Sequence, residues 1–168
     1  AWQNARGLTV FTKQQKLRLR DPEYKFHLEQ TGEKTFVLYP VREIRRSENA
    51  GNDAKQVAIT NSFDAQALQF SLRVSGPANG CVITLPDGSQ IKSDNKMENG
   101  QFIICKGNQA YAADKFRKKI ADLAMNRAAT LPKGESKISV QFPGVQKSAK
   151  VRFEFTTWAF GTGEPVGI

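Results

Sequence analysis

The sequence predicts a mainly β protein: a single antiparallel β-sandwich or barrel-like domain of about ten short strands, with one α-helix near residues 109–129. Alternating apolar and polar residues recur in several short segments, which is the pattern of strands that bury one face. Polar, turn-forming residues separate these segments at short intervals, as in antiparallel sandwiches and barrels. One Ala-rich segment departs from this pattern and has helical spacing.

The clearest strand patterns lie in the middle and near the C-terminal end of the chain, at residues 67–74, 137–142 and 150–155. Their apolar faces are, in order, Leu68, Phe70, Leu72 and Val74; Ile138, Val140 and Phe142; and Val151, Phe153 and Phe155. Weaker patterns occur at 8–12, 16–20, 24–28, 35–39 and 56–60. These segments together predict a sheet protein whose core is built from alternating positions.

The segment between the two cysteines predicts a meander of short strands. Residues 81–85 form its first strand, 86–89 a tight turn and 101–105 a later strand after a second reversal. If Cys81 and Cys105 lie on neighbouring strands, a disulfide can join them and stabilise the fold by on the order of 3 kcal/mol. The alternative is two buried free thiols.

Residues 109–129 are predicted to be helical because the segment is rich in Ala and has no Gly or Pro. Asn108 is a suitable N-cap. Asp114 and Lys118 stand one helical turn apart, which is a favourable acidic-to-basic pair. The apolar stripe expected to pack on the sheet consists of Ala112, Phe116, Ile120 and Leu123.

A chain of 168 residues is expected to form one domain over residues 1–168, with an exposed loop near 45–55 and a flexible tail at 163–168. This length lets a single domain bury roughly two-thirds of the surface of its unfolded chain. The alternative is a domain boundary at the polar segment 45–55, which would separate a basic N-terminal hairpin from the rest. No stretch reaches the roughly 20 apolar residues needed to span a bilayer.

The net charge of +9 is concentrated in two parts of the chain. Residues 1–50 carry +4 and residues 101–150 carry +7, whereas the remaining two parts carry −1 each. The candidate binding residues for an acidic partner are Lys13, Lys16, Arg18 and Arg20 in the N-terminal strands, and Lys115, Arg117, Lys118 and Lys119 on the predicted helix. The alternative for the helix group is a solvated face without a ligand.

A third basic group, Arg42, Arg45 and Arg46, lies beside Glu43 and Glu48 and is expected to be neutralised within the protein.

Enzymatic chemistry has little support in the sequence. His27 is the one histidine, and its position beside Lys25 on the outer face of a strand predicts a surface residue. Two Cys and one His are too few for a structural zinc site, and no Gly-rich segment has the pattern of a phosphate-binding loop. We therefore expect no enzyme, no cofactor and no metal.

The sequence predicts a non-catalytic interaction or assembly module of the cell envelope or surface, secreted or periplasmic, which binds a protein or an acidic glycan through its basic patches. A cytoplasmic location is expected if the two cysteines are free. Nucleic acid is a further class of partner, since a nucleic-acid-binding or coat-like structural protein could use the same charges. An envelope-polymer hydrolase with a dispersed site is the third hypothesis. An oligomer or a larger assembly fits the first two.

Overall fold

The computed structural model describes residues 23–125, 127–145 and 149–167. Over these residues the protein is mainly β, its strand pairs are antiparallel, and no helix is present. The described residues divide into two compact units, one formed by residues 23–43 and 159–167, and the other by the described residues of 44–158. The mainly β class predicted from the sequence is therefore confirmed.

The strands of the described residues are β1 (Tyr24–Gln30), β2 (Thr35–Ala50), β3 (Lys55–Asn61), β4 (Gln66–Ala67), β5 (Gln69–Ser75), β6 (Ala78–Thr84), β7 (Gln90–Met97), β8 (Phe102–Lys106), β9 (Gln109–Ala113), β10 (Lys119–Leu123), β11 (Thr130–Leu131), β12 (Gly134–Gln141), β13 (Val151–Phe160) and β14 (Glu164–Gly167).

In the first unit, β1 and β14 both pair with the first half of β2. The segment 163–168, predicted as a flexible tail, contains β14, in which residues 164–167 pair with residues 35–38. Gly163 directly precedes this strand. A Cβ atom added to Gly163 would lie only 2.4 Å from Cγ1 of Val37. The missing side chain of Gly163 lets the chain approach β2 closely enough for β14 to pair.

The second unit contains two larger sheets. One has the strand order β2-β13-β5-β8-β9-β10, and the other has the order β3-β12-β6-β7. A short pair, β4 and β11, lies apart from both. The segment 45–55, predicted as an exposed loop, instead continues β2 as far as Ala50, so that only residues 51–54 separate β2 from β3.

The core of the second unit is formed by the apolar faces that the alternation predicts. Every member of the three sets at 68–74, 138–142 and 151–155 is buried. The rings of Phe142, which follows β12, and Phe153 in β13 have centroids 6.2 Å apart and meet edge to face. This contact joins β13 to the residue that directly follows β12, and such aromatic pairs contribute about 0.5–1.5 kcal/mol beyond their burial.

The predicted Cys81–Cys105 disulfide is not formed. Cys81 lies in β6, which pairs with β7 and β12, whereas Cys105 lies in β8, which pairs with β5 and β9. The two cysteines therefore belong to different sheets, and both are buried free thiols. The prediction placed β8 beside β6 because it assumed that the meander continued in one sheet, but the chain changes sheets after β7.

The predicted helix at 109–129 is wrong, since this segment forms β9, β10 and a connecting turn. Gly107 and Asn108 form a two-residue turn between β8 and β9, with Gly107 at φ 64°. That dipeptide is a hairpin signal, and it competes with the reading of Asn108 as a helix cap. When β9 pairs with β8, the backbone N–H and C=O groups that face each other form hydrogen bonds between the two strands. The spacing of residues within 109–129 carries no information about this long-range pairing.

Candidate functional site

The candidate site is the basic hairpin, defined as residues 109–123, in which β9 and β10 are joined by the turn 114–118. Strand pairing places Lys119 opposite Ala113 and Asp122 opposite Tyr111. The turn is closed by backbone hydrogen bonds, because Asp114 N–H donates to the Lys118 carbonyl at 2.9 Å. Hydrogen bonds within the hairpin therefore continue as far as Asp114 and Lys118, the first and last residues of the turn.

The side chain of Asp114 holds the turn from within. Its Oδ1 accepts hydrogen bonds from the backbone N–H groups of Phe116 and Lys118, both at 2.9 Å. The Arg117 N–H donates in turn to the Asp114 carbonyl, also at 2.9 Å. Asp side chains commonly satisfy the backbone of a turn in this way, and here the arrangement fixes the positions of the basic residues at the tip.

Arg117 has φ 66°, the one positive φ of a residue other than glycine in the described part of the chain. Such a conformation costs on the order of 1–3 kcal/mol unless its surroundings impose it, and the hydrogen bonds to Asp114 supply that restraint. The guanidinium Cζ lies 4.6 Å from the ring centroid of Phe102. Arg117 is therefore turned back over β8, where a cation–π contact orients it.

The four predicted basic residues of this segment are all exposed and lie together on the hairpin. Lys119 forms a salt bridge with Asp122 at 2.9 Å. Within the described residues, Lys115, Arg117 and Lys118 form no salt bridge. Charges on these three residues are thus available to a partner.

Two apolar side chains accompany the cations. Phe116, at the tip, is 79% exposed, and Ile120 in β10 is 57% exposed. The Lys115 Nζ lies 5.2 Å from the centroid of the Phe116 ring. The sequence pattern had placed Phe116 on the buried side of a helix. In the structure Phe116 lies in the turn between β9 and β10 and projects to solvent.

Beside the hairpin, the outer face of the larger sheet carries a groove of about 270 Å³, called here the Arg117 groove. Its walls include Gln69, Lys106, Tyr111, Arg117 and Trp158. Strand register aligns these residues, since Gln69 lies opposite Lys106 and Ile104 lies between Ser71 and Tyr111. A second depression of about 410 Å³ shares Tyr111 and is also lined by Lys119 and Asp122.

The N-terminal candidates Lys13, Lys16, Arg18 and Arg20 lie outside the described residues, so their patch stays a prediction. The third basic group is at least partly neutralised. Arg42 donates from Nε and Nη2 to Oε2 of Glu23, at 3.2 and 2.7 Å. Glu43 pairs with Lys25, and Glu48 lies 3.7 Å from Lys55. Glu23 is thus a partner of Arg42.

The histidine and the two cysteines lie on three different strands, His27 on β1, Cys81 on β6 and Cys105 on β8. His27 is exposed on β1, and its ring centroid lies 6.3 Å from that of Tyr39 on the paired strand. Burial raises the pKa of the Cys81 thiol to about 12 and that of the Cys105 thiol to about 11. At neutral pH both sulfurs are therefore protonated, and a protonated thiol is a weak nucleophile.

Of the groove residues, Arg117 alone was among the binding residues predicted from the sequence. Gln69, on the polar side of the 67–74 pattern, gave a signal that a sheet face was accessible, and Trp158 had the pattern of an aromatic on the outer side of its strand. No local pattern connected them with Tyr111 or Arg117, because strands β13, β5, β8 and β9 are neighbours only through long-range pairing.

The sequence matches no protein-family model and no curated protein. Over its described residues the chain contains no helix of the length and apolar character that crossing a membrane requires.

Proposed function

We propose that this chain is a non-catalytic interaction module that binds an anionic polymer, an acidic glycan in the first instance, through the basic hairpin. In this proposal the two larger sheets of the second unit pack as a sandwich that supports the hairpin. The observation that carries the proposal is the set of three exposed cations, Lys115, Arg117 and Lys118, which form no salt bridge within the described residues and stand on one turn held by Asp114.

Electrostatics favour an anionic partner for this turn. Like charges placed side by side repel one another, and carboxylates elsewhere in a protein commonly offset them. Here the one carboxylate within the turn, on Asp114, is hydrogen-bonded to backbone N–H groups. A polymer with regularly spaced anionic groups would lower the repulsion at several cations at once, and at physiological salt the field acts over about 8 Å.

The state of the reactive side chains supports a non-catalytic role. Both thiols are buried with raised pKa values, so neither supplies a thiolate at neutral pH. His27 lies opposite Tyr39 on an exposed strand of the first unit. General acid–base or nucleophilic catalysis needs such groups within hydrogen-bond reach of one another.

The experiment is a binding titration against a polyuronate, a sulfated polysaccharide and a neutral polysaccharide over a series of salt concentrations. The double variant Lys115→Ala/Lys118→Ala is compared with Lys92→Ala/Lys96→Ala, which removes the same charge from exposed positions of β7. Exposed ion pairs contribute about 0.2–1 kcal/mol each, so we expect the hairpin variant to bind roughly 2- to 30-fold more weakly and the β7 variant to bind as the unaltered protein does.

Equal losses in the two double variants would contradict the assignment of the hairpin, since only net charge would then matter. Binding that does not weaken with salt, or no binding to either acidic polymer, would contradict the electrostatic proposal as a whole.

A second candidate partner is single-stranded nucleic acid, and the exposed Phe116 ring between cations is the observation that favours it. Base stacking on an aromatic side chain contributes about 1–3 kcal/mol per base. An oligonucleotide is therefore included in the titration. If the protein binds the oligonucleotide in preference to both acidic glycans, and if Phe116→Ala weakens that binding, the proposed partner becomes single-stranded nucleic acid.

A secreted or periplasmic setting stays a prediction, and its main argument is weaker because the Cys81–Cys105 bridge is not formed. The binding proposal does not depend on the compartment, nor on whether the chain assembles into an oligomer.

A further inference from the structure

The residues that line the Arg117 groove differ in chemistry from those at the tip of the hairpin, which is formed by residues 115, 116 and 118. The tip presents cations and the exposed Phe116, whereas the groove combines a half-buried Tyr111 with the amide of Gln69 and the cations of Lys106 and Arg117. Its volume of about 270 Å³ is close to the lower limit of about 300–1,000 Å³ for small-ligand pockets. The groove is thus large enough for one sugar-sized ring of a ligand, and its aromatic and polar lining suits such a ring better than a linear polymer without rings.

We infer that the Arg117 groove and the adjoining depression bind the sugar rings of a carboxylated oligosaccharide, one ring lying beside Tyr111 and its carboxylate facing Arg117. This inference rests on the proposed function and names the ligand class of the same surface. The juxtaposition that carries it is an aromatic ring, an amide and two cations on one sheet face, continued across Tyr111 by Lys119 and Asp122.

Arg117 supplies the recognition of the carboxylate. Its guanidinium is planar and presents paired N–H donors that match the two oxygens of a carboxylate. The turn fixes φ of Arg117 at 66°, and the ring of Phe102 lies under the guanidinium at 4.6 Å. An arginine restrained in this way loses less conformational freedom on binding than a lysine at the tip does.

The remaining polar groups suit sugar hydroxyls. Gln69 and Asp122 line the two depressions and offer acceptors, while Gln69 and Lys106 offer donors. A carboxylate such as Asp122 is unfavourable beside a chain of phosphates but accepts hydrogen bonds from hydroxyl groups. The mixture therefore favours an anionic sugar over a polyphosphate or a nucleic-acid backbone.

The occupant spans more than one ring. Tyr111 lines both depressions, whose volumes are about 270 and 410 Å³. Strand pairing places Ile104 and Asp122 on either side of Tyr111. An oligosaccharide that crosses β8, β9 and β10 would contact both depressions. Its anionic groups would lie near Lys106 and Arg117, and its hydroxyl groups near the Lys119–Asp122 pair.

The test compares three ligands on the intact chain: a tetrasaccharide of galacturonic acid, its methyl ester, and a linear polyphosphate of equal charge. We expect the unaltered protein to bind the acid at least about tenfold more tightly than the ester, because the ester cannot pair with a guanidinium. We also expect it to prefer the acid to the polyphosphate, which has no ring.

Arg117→Gly is the decisive variant, because glycine adopts a positive φ without strain and the turn is preserved. Arg117→Asn is a second variant, as asparagine also tolerates this conformation. Both are expected to abolish the preference for the acid over the polyphosphate. The matched control Lys118→Ala removes one charge from the same turn, outside the lining of the groove, and is expected to weaken binding to both anions while the preference remains.

Four results are informative. An unchanged preference in Arg117→Gly, or equal affinity of the unaltered protein for acid and polyphosphate, would overturn the groove inference while hairpin binding still stands. Absence of binding to either anion would overturn the proposed function itself. Loss of the preference in the Arg117 variants, but not in Lys118→Ala, would support the inference.

Discussion

Replacement of Asp114 separates the geometry of the basic hairpin from its charge. Oδ1 of Asp114 accepts two backbone hydrogen bonds, from Phe116 and Lys118, each at 2.9 Å. Asp114→Asn removes the negative charge but keeps an acceptor oxygen in the same place, whereas Asp114→Ala removes both the charge and the acceptor. The difference between the two variants therefore measures what the two hydrogen bonds contribute.

The magnitude follows from the exposure of the turn. Intramolecular hydrogen bonds contribute about 0.5–1.5 kcal/mol each, and a value near the lower half of this range applies because Asp114 is only half-buried. Two such bonds predict that Asp114→Ala is about 1–2 kcal/mol less stable locally than Asp114→Asn. The strain at Arg117, on the order of 1–3 kcal/mol, then loses its restraint and Arg117 leaves the left-handed conformation in part of the population.

Chemical denaturation and polyuronate titration at low salt provide the assay. Asp114→Asn is expected to bind as tightly as the unaltered protein or more tightly, since a carboxylate near the cations has been neutralised. Asp114→Ala is expected to bind about 5- to 30-fold more weakly than Asp114→Asn, which are the fold-changes that about 1 and 2 kcal/mol correspond to. Equal affinities in the two variants would refute the reasoning that the turn is pre-organised by this side chain.

Three further predictions concern buried and turn residues of the second unit. Ser93 Oγ is buried in β7 without a hydrogen-bond partner in the described part of the chain, so Ser93→Ala is expected to raise the free energy of unfolding by about 1 kcal/mol, and a decrease would contradict this assignment. With thiol pKa values of about 12 and 11, Cys81 and Cys105 are expected to resist alkylation at pH 8 in the native protein and to react fully after denaturation without reductant; rapid native labelling, or no labelling of the denatured protein, would contradict buried free thiols. Hydrogen bonds from Ser89, together with the charge of Arg127, hold the pKa of the Asp87 carboxyl below its ordinary value. The ionised Asp87 therefore stabilises the folded protein at pH values above the ordinary pKa of a carboxyl group, and this stabilisation is lost as the pH falls through the lowered pKa. Asp87→Asn is accordingly expected to destabilise the protein at neutral pH, by an amount that disappears in acid, and a difference that persists at low pH would contradict that cause.

The strands of the core could be predicted because their pattern is local. Along 67–74, each second residue is apolar, and Leu68, Phe70, Leu72 and Val74 are all buried in the structure. The same reasoning held for Phe153 and Phe155 in β13. A strand that buries one face must show this alternation whichever strand lies beside it, so no knowledge of the pairing was needed.

The basic hairpin shows why the rest could not be predicted in the same way. Asp114 and Lys118 have the spacing of a helical ion pair, yet in the structure the backbone N–H of Lys118 binds the Asp114 carboxylate and closes a turn. Asp114 and Lys118 can therefore interact favourably either in a helix or in a turn. The choice between them depends on the pairing of β9 with β8 and on the Gly107–Asn108 turn, whose hairpin signal outweighs the helical spacing.

The grouping of the cations could be predicted for a related reason. The cations of 115–119 are clustered in the sequence and lie together in the structure, so their proximity did not depend on the type of element. Tyr111, Gln69 and Trp158 come from three strands, and only the order β13-β5-β8-β9 brings them to one face. Orientation was also inaccessible, since the left-handed conformation of Arg117 is a consequence of the turn.

Amide chemical-shift mapping during titration with an acidic oligosaccharide tests the central claim most directly. The largest shifts are expected at residues 115–119 and at Tyr111, with smaller changes along β8, and they should diminish as salt is raised. Shifts confined to other surfaces of the chain, or a spectrum that does not change at saturating ligand and low salt, would contradict the claim that the basic hairpin is the binding site.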